Sequence, residues 1–241
     1  MRLSSLSSAA GPRMSDPETL PRKRGAAEDT RRSVLDAALG TIMDIGYYKA
    51  SSNQIARRAG VTWGTIQHLF GSREQLMLDV VNYLGEAIED SFAAAAFDGE
   101  TLEDRLEQAL AFLARHYEQD RYIVQLQIVL ELSANPRIEV SDLDTMREQN
   151  IALFDRLAQP FMAKVIGEAA AEYELTIYAF LALRSYLVSS MISQRIMELP
   201  KTGLNRPMTR PVDEGVIRRL LIEGIAQTVR REAMRRGYPA P

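Results

Sequence analysis

Residues 51–76, SSNQIARRAGVTWGTIQHLFGSREQL, place several helix starts and two helix stops in one short run. Hydroxyl residues suited to capping helix N-termini stand at Ser51 or Ser52, at Thr62 and at Ser72. Gly60 and Gly71 stand where a helix must end and the chain reverse. Ser51 and Gln54 have capping-box spacing, which opens a short helix. Ile55 and Ala59 then face inward, and Ala56 is small enough for another helix to approach. Val61 plugs the turn, Thr62 caps a second helix, and Ile66 and Leu69 anchor its inner face. Trp63, Thr65, Gln67 and His68 are left on the outer face. This is the pattern of a helix-turn-helix, whose second helix fits a DNA major groove.

The rest of the chain reads as helix. Val34, Leu35, Ala38, Ile42 and Ile45 recur at three- and four-residue steps, ending at Gly46. One long helix is expected from about 72 to 96, then others near 101–118, to 134, 140–158, 161–167, 169–198 and 213–236. Asp98-Gly99, Asn135-Pro136 and the segment LPKTGLNRPMTRPV interrupt them. No strand alternation and no internal repeat is visible, so the expected fold is all-α. Residues 1–26, without apolar periodicity, are expected to be a flexible tail, with Met14 as an alternative start. Within them Pro21-Arg22-Lys23-Arg24-Gly25 is a short basic arm, read either as a solvated tail or as a reach along DNA. The expected units are a DNA-binding domain over 27–75, an effector-binding and dimerisation domain over 76–236, and a short tail over 237–241.

Charge divides along the same line. Residues 1–73 carry 11 Lys and Arg against 6 Asp and Glu, and the remainder carries 18 against 26. A basic front favours a polyanionic partner. The chain has no cysteine, which rules out disulfides, thiolate metal ligands and a cysteine nucleophile. A reducing, cytoplasmic setting is expected, and no metal or other cofactor. The longest apolar stretch, YAFLALRSYLVSSMI, looks too short and too polar to span a membrane. No di-metal Glu-x-x-His, H-E-x-x-H, G-x-S-x-G or phosphate-binding glycine motif occurs, so an enzyme is not expected.

Residues 29–81 resemble the DNA-binding domain of the TetR family of bacterial transcriptional regulators. The resemblance rests on Ile55, Ala56, Ala59, Gly60, Val61, Gly64, Thr65, Phe70, Ser72 and Leu76, preceded by Ala37-Ala38 and Gly46-Tyr47. It implies phosphate contacts from Thr62, His68 and Arg73, with Ser52 also at the interface. The chain departs from the family at Trp63, where a Lys is frequent, at Gln67, where a Tyr is frequent, and at Leu69 in place of an aromatic residue. Gln67 is thereby free to read a base, its amide matching adenine N6 and N7. Trp63 is read either as stacking on sugar or a thymine methyl, or as packing against the first helix.

The resemblance further implies a homodimer through the helices near 169–198 and 213–236, on a near-palindromic double-stranded operator. The middle helices are expected to hold a pocket for a small, mostly apolar effector. Its candidate residues are Phe112, His116, Gln127, Glu131, Met146, Asn150, Phe154 and Arg184. Each also has a plainer reading as solvent face, core or salt bridge. Arg184, alone in an apolar helix, is read as meeting an anionic ligand or an acid across the dimer. The expected function is a ligand-released repressor. The alternative is a helical interaction module whose specific DNA binding is weakened or lost.

Overall fold

The helix starts proposed for residues 51–76 are all present, and each is closed by the expected side chain. The computed structural model describes residues 19–135, 140–197, 213–239 and 241. Among them there are only helices: α1 (Thr19–Ile45), α2 (Ser52–Ala59), α3 (Trp63–Phe70), α4 (Arg73–Glu86), α5 (Glu89–Ala94), α6 (Leu102–Tyr117), α7 (Asp120–Ala134), α8 (Val140–Ile166), α9 (Tyr173–Met197) and α10 (Glu214–Arg235). A short 3₁₀ segment, Gly167–Ala171, joins α8 to α9.

The caps explain the short helices. Ser51, not Ser52, caps α2: its hydroxyl accepts from the Gln54 amide, and Gln54 Oε1 accepts from the Ser51 amide at 2.9 Å. Thr62 Oγ1 accepts from the Thr65 amide at 3.2 Å, and Ser72 Oγ from the Gln75 amide at 3.0 Å. Each such cap is worth about 1 kcal/mol. Gly60 has φ of 69°, a left-handed turn that other residues adopt only with strain, and the following Val61 amide donates back to Ala56.

Two hydrophobic cores are built on this chain. The first gathers Val34, Ala38 and Ile42 of α1, Ile55 of α2, Ile66 and Phe70 of α3, and Leu76, Val80 and Leu84 of α4. It also takes in Val124, Ile128 and Leu132 of α7. The second holds α6, α8, α9 and α10 together around Leu106, Leu113, Phe161, Leu183 and Val229. Helix α7 therefore lies between the two cores, which explains why its sequence is apolar almost all round.

Three boundaries differ from those read off the sequence. Helix α1 begins at Thr19, so residues 19–26 are helical and the basic arm at 21–24 lies on that helix. Residues 1–18, with Met14, lie outside the described residues. The helix expected from 72 to 96 is two, because its apolar residues serve different cores. Leu84 packs into the first core and Phe92 into the second, and the break at Ala87-Ile88 turns the chain between them. At Gly85 a Cβ would meet Leu153 Cδ2 at 2.7 Å, so α8 seats directly against α4 there. Conversely, α8 runs unbroken through Pro160, because Leu157, Ala158, Phe161 and Met162 are all buried in the second core.

By length and composition alone, Tyr173–Arg195 of α9 is apolar enough to cross a membrane. The reason for its apolarity is packing: Thr176, Ala179, Leu183 and Leu187 are buried in the second core. Its continuation beyond Met197, and the loop to residue 212, lie outside the described residues.

Candidate DNA-reading head and effector cavity

The α2–turn–α3 unit is braced from both sides. On one side Arg31 of α1 pairs with Asp79 of α4 at 2.6 Å, donates to the Leu69 carbonyl at 3.2 Å, and lies over the Phe70 ring. On the other, Arg73 at the start of α4 donates to the Tyr47 hydroxyl and carbonyl, each at 3.1 Å, and to the Ala50 carbonyl at 3.4 Å. Its guanidinium also stacks over the Tyr47 ring, 4.6 Å from the centroid. Its two terminal nitrogens make these three hydrogen bonds inside the protein, and they fix the turn before α2 against the start of α4.

The outer surface of α3 is open where a groove would be entered. Thr62, Gly64, Gln67 and His68 are exposed, and Thr65 is half-buried, its hydroxyl 3.0 Å from that of Thr62. Trp63 is half-buried and packs on the first core. Ser52 is the first residue of α2 and is half-buried. The first-turn amides of α2 and α3 have no partner within their helices, which suits them to phosphate oxygens. Sequence reasoning passed over Tyr48 and Lys49, both exposed in the turn that leads into α2. Tyr48 lies beside Glu131, whose carboxylate holds its phenol above the usual range.

Two adjoining cavities lie between the two cores. The first, about 370 Å³, is lined by Leu84, Ile88, Phe112 and Gln119 and by the basic residues Arg115 and Arg121. The second, about 280 Å³, is lined by Phe92, Leu153, Phe154, Leu157, Phe180 and Arg184. Ile88, His116, Tyr122 and Gln125 belong to both walls. The volumes are those of small-molecule sites. Burial holds His116 below the ordinary histidine range, so it is neutral at pH 7. Burial pushes the Tyr117 hydroxyl above its ordinary range and keeps it neutral too. Arg184 donates to the Tyr122 hydroxyl at 3.0 Å and lies against the Tyr117 ring.

Of the residues read from sequence as effector contacts, the structure brings Phe112, His116, Phe154 and Arg184 to these walls. It does not bring Gln127 or Glu131 there. Gln127 is exposed, and Glu131 meets Tyr48 at the junction with the DNA-reading head. The polar residue that α7 does present to the cavity is Gln125. Tyr122, Gln125, Leu126 and Val129 line one side of α7, Val124, Ile128 and Leu132 enter the first core on a second, and Gln127 and Glu131 fall on the third. Two apolar stripes in one helix gave the sequence no means of telling which side carried the pocket. The side chains of Met146 and Asn150 lie outside the described residues. No cluster that suits a metal ion occurs among the described residues.

The structure thus joins a capped helix-turn-helix to a helical body with two adjoining cavities. Residues 34–80 match the model of "Bacterial regulatory proteins, tetR family". The chain is 43% identical over 70 residues to the HTH-type transcriptional regulator BetI of Cronobacter sakazakii, a match over 27% of this chain and 35% of that one. It is 28% identical over 160 residues to BetI of Agrobacterium fabrum, covering 64% of this chain and 78% of that one. The match to the first relative thus spans about a third of its length. The solved structure of SCO7518 from Streptomyces coelicolor A3(2) shares the fold, with a TM-score of 0.54, 20% identity, and coverage of 83% of this chain and 98% of that one. Residues 34–80 thus carry the DNA-binding domain of the TetR family of bacterial regulatory proteins.

Proposed function

We propose that the chain is a ligand-responsive repressor that binds a near-palindromic operator as a homodimer and is released by a small, mostly apolar effector. The observation that carries this reading is the position of α7. It lines the cavity with Tyr122, Gln125 and Leu126, enters the core of the DNA-reading head with Val124, Ile128 and Leu132, and touches the turn before α2 through Glu131 and Tyr48. A molecule in the cavity thus presses on a helix that is part of the head's own core. Coupling of this kind is reciprocal: ligand disfavours DNA by the factor that DNA disfavours ligand.

One short α3 contacts only a few base pairs, so a dimer is needed for a useful site. Apolar side chains left outside both cores supply a surface for it. Leu181 and Ile192 on α9, and Ile217 and Leu220 on α10, are exposed, and nothing lies near Gly224 on the same helix. On the DNA, Thr62, His68 and the helix N-termini are assigned to phosphates, and Gln67, Thr65 and Trp63 to bases. Arg73 supports this contact by holding the turn. The test is a titration of the full chain onto labelled duplex DNA at several salt concentrations. Binding that weakens steeply with salt supports the reading. Salt-independent binding, or none, supports an interaction module that has lost its DNA.

A further inference from the structure

The cavity walls carry one sign of charge. Arg115, Arg121 and Arg184 line them, with the neutral His116 and no Asp or Glu among the described residues. The chain as a whole has more acids than bases, and its other arginines are largely paired: Arg31 with Asp79, Arg58 with Asp44, Arg195 with Asp120, Arg218 with Glu107, Arg230 with Glu103 and Arg236 with Glu172. Arg184 makes no ion pair with a carboxylate among the described residues. It is half-buried on α9, and its neighbours are two tyrosine hydroxyls, which burial keeps neutral in the case of Tyr117. A guanidinium has five N–H donors in a planar fork, and the Tyr122 hydroxyl takes one of them.

A half-buried cation without a carboxylate is costly unless something brings the counter-charge. The surrounding wall is aromatic and aliphatic. Phe154 meets Phe180 edge to face, with ring centroids 5.4 Å apart, and Phe92 meets Phe112 in the same way at 5.2 Å. We infer that the cavity takes an amphipathic acid: an apolar body seated among Phe92, Leu153, Phe154 and Phe180, and one carboxylate held by Arg184 beside Tyr122. This rests on the cavity being the effector site, and it names the chemical class of that effector. A neutral ligand leaves Arg184 as uncompensated as before. A cationic ligand faces three arginines and no acid. Gln125, on the shared wall, offers the acid's second oxygen an amide donor.

The test is calorimetric titration of the full chain, without DNA, with two bodies each bearing three heads. The probes are 4-phenylbutyrate and octanoate, their primary amides, and the corresponding primary ammonium compounds. The acids are expected to bind at least about tenfold more tightly than the amides, the factor set by a charge-assisted pair, and the ammonium compounds more weakly still. Arg184→Gln is expected to abolish that preference, leaving acid and amide equal. The ranking of heads on the unaltered chain decides the matter even if the variant fails to fold. Amides or ammonium compounds that bind as well as the acids overturn the assignment of an acid while leaving the cavity as the effector site. Failure of all six to bind overturns the effector-site reading and the acid with it.

Discussion

Arg73 and Tyr47 are locked together: the guanidinium lies 4.6 Å above the phenol ring while donating to its hydroxyl and to its carbonyl at 3.1 Å each. The pair joins the first residue of α4 to the turn before α2, and so sets the angle at which the reading unit leaves α1. Arg73→Ala is expected to lower the stability of the full chain by about 1–3 kcal/mol, as loss of a hydrogen-bonded, half-buried charge does. A pure phosphate contact would leave the thermal midpoint unchanged and alter only DNA affinity. Thermal unfolding without DNA separates the two.

The side chain of Gln67 is exposed on α3 and makes no hydrogen bond among the described residues, and its amide suits adenine. Gln67→Ala is expected to relax preference at one position in each half-site, at a cost of about 1–3 kcal/mol there, and to leave binding to random DNA unchanged. Competition assays with operator variants measure this. Equal losses on operator and random duplex would assign Gln67 to the backbone instead.

The second core makes a prediction about acidity. His116 is held neutral by burial, with its pKa below the ordinary 6.5. The unfolded chain therefore takes up this proton before the folded one does. The stabilising contribution is whole above about pH 6.5 and declines as pH falls from there towards the folded pKa. The arginines on the same wall, Arg115, Arg121 and Arg184, keep their charge throughout and oppose protonation further. His116→Phe is expected to flatten the fall in midpoint between pH 7.5 and 5.5, by at most about 1.4 kcal/mol per pH unit. Parallel pH profiles for the two proteins would count against a buried neutral imidazole.

Leu220 on α10 is 63% exposed in the single chain, beside Ile217 and opposite no other part of the molecule's core. A dimer formed through α9 and α10 covers it. Leu220→Glu is expected to yield a folded monomer, with helical content retained and dimer affinity lowered at least about thirtyfold, as for a central apolar contact. Light scattering across a dilution series measures the shift. A variant that stays dimeric would move the interface elsewhere.

Local chemistry was the legible part of the sequence. Ser51, Thr62 and Ser72 announce their helices because a capping hydroxyl acts within three residues of itself. Gly60 announces its turn for the same reason. What stayed hidden depends on tertiary packing. The break between α4 and α5 follows from Leu84 and Phe92 serving different cores, and no local signal marks that. The helices expected near 140–158 and 161–167 are one, because Phe161 and Met162 are buried in the second core and anchor the turn around Pro160. The choice of Gln127 and Glu131 over Gln125 had the same origin. Helical spacing relates the faces of α7 to one another but says nothing about which neighbour each one meets. The staple that Arg73 makes to Tyr47 and Ala50 was hidden too, because a cation that meets DNA and a cation that holds a turn have the same sequence signature.

The central claim is that a dimer of this chain reads a specific duplex sequence. The most direct test is selection of bound sequences from a random duplex pool by the full chain at two salt concentrations. Recovery of one near-palindromic sequence, with half-sites about one helical turn apart or a related spacing and enrichment that persists at the higher salt, is the predicted result. A pool that binds weakly, loses all binding with added salt and shows no enriched sequence would contradict it.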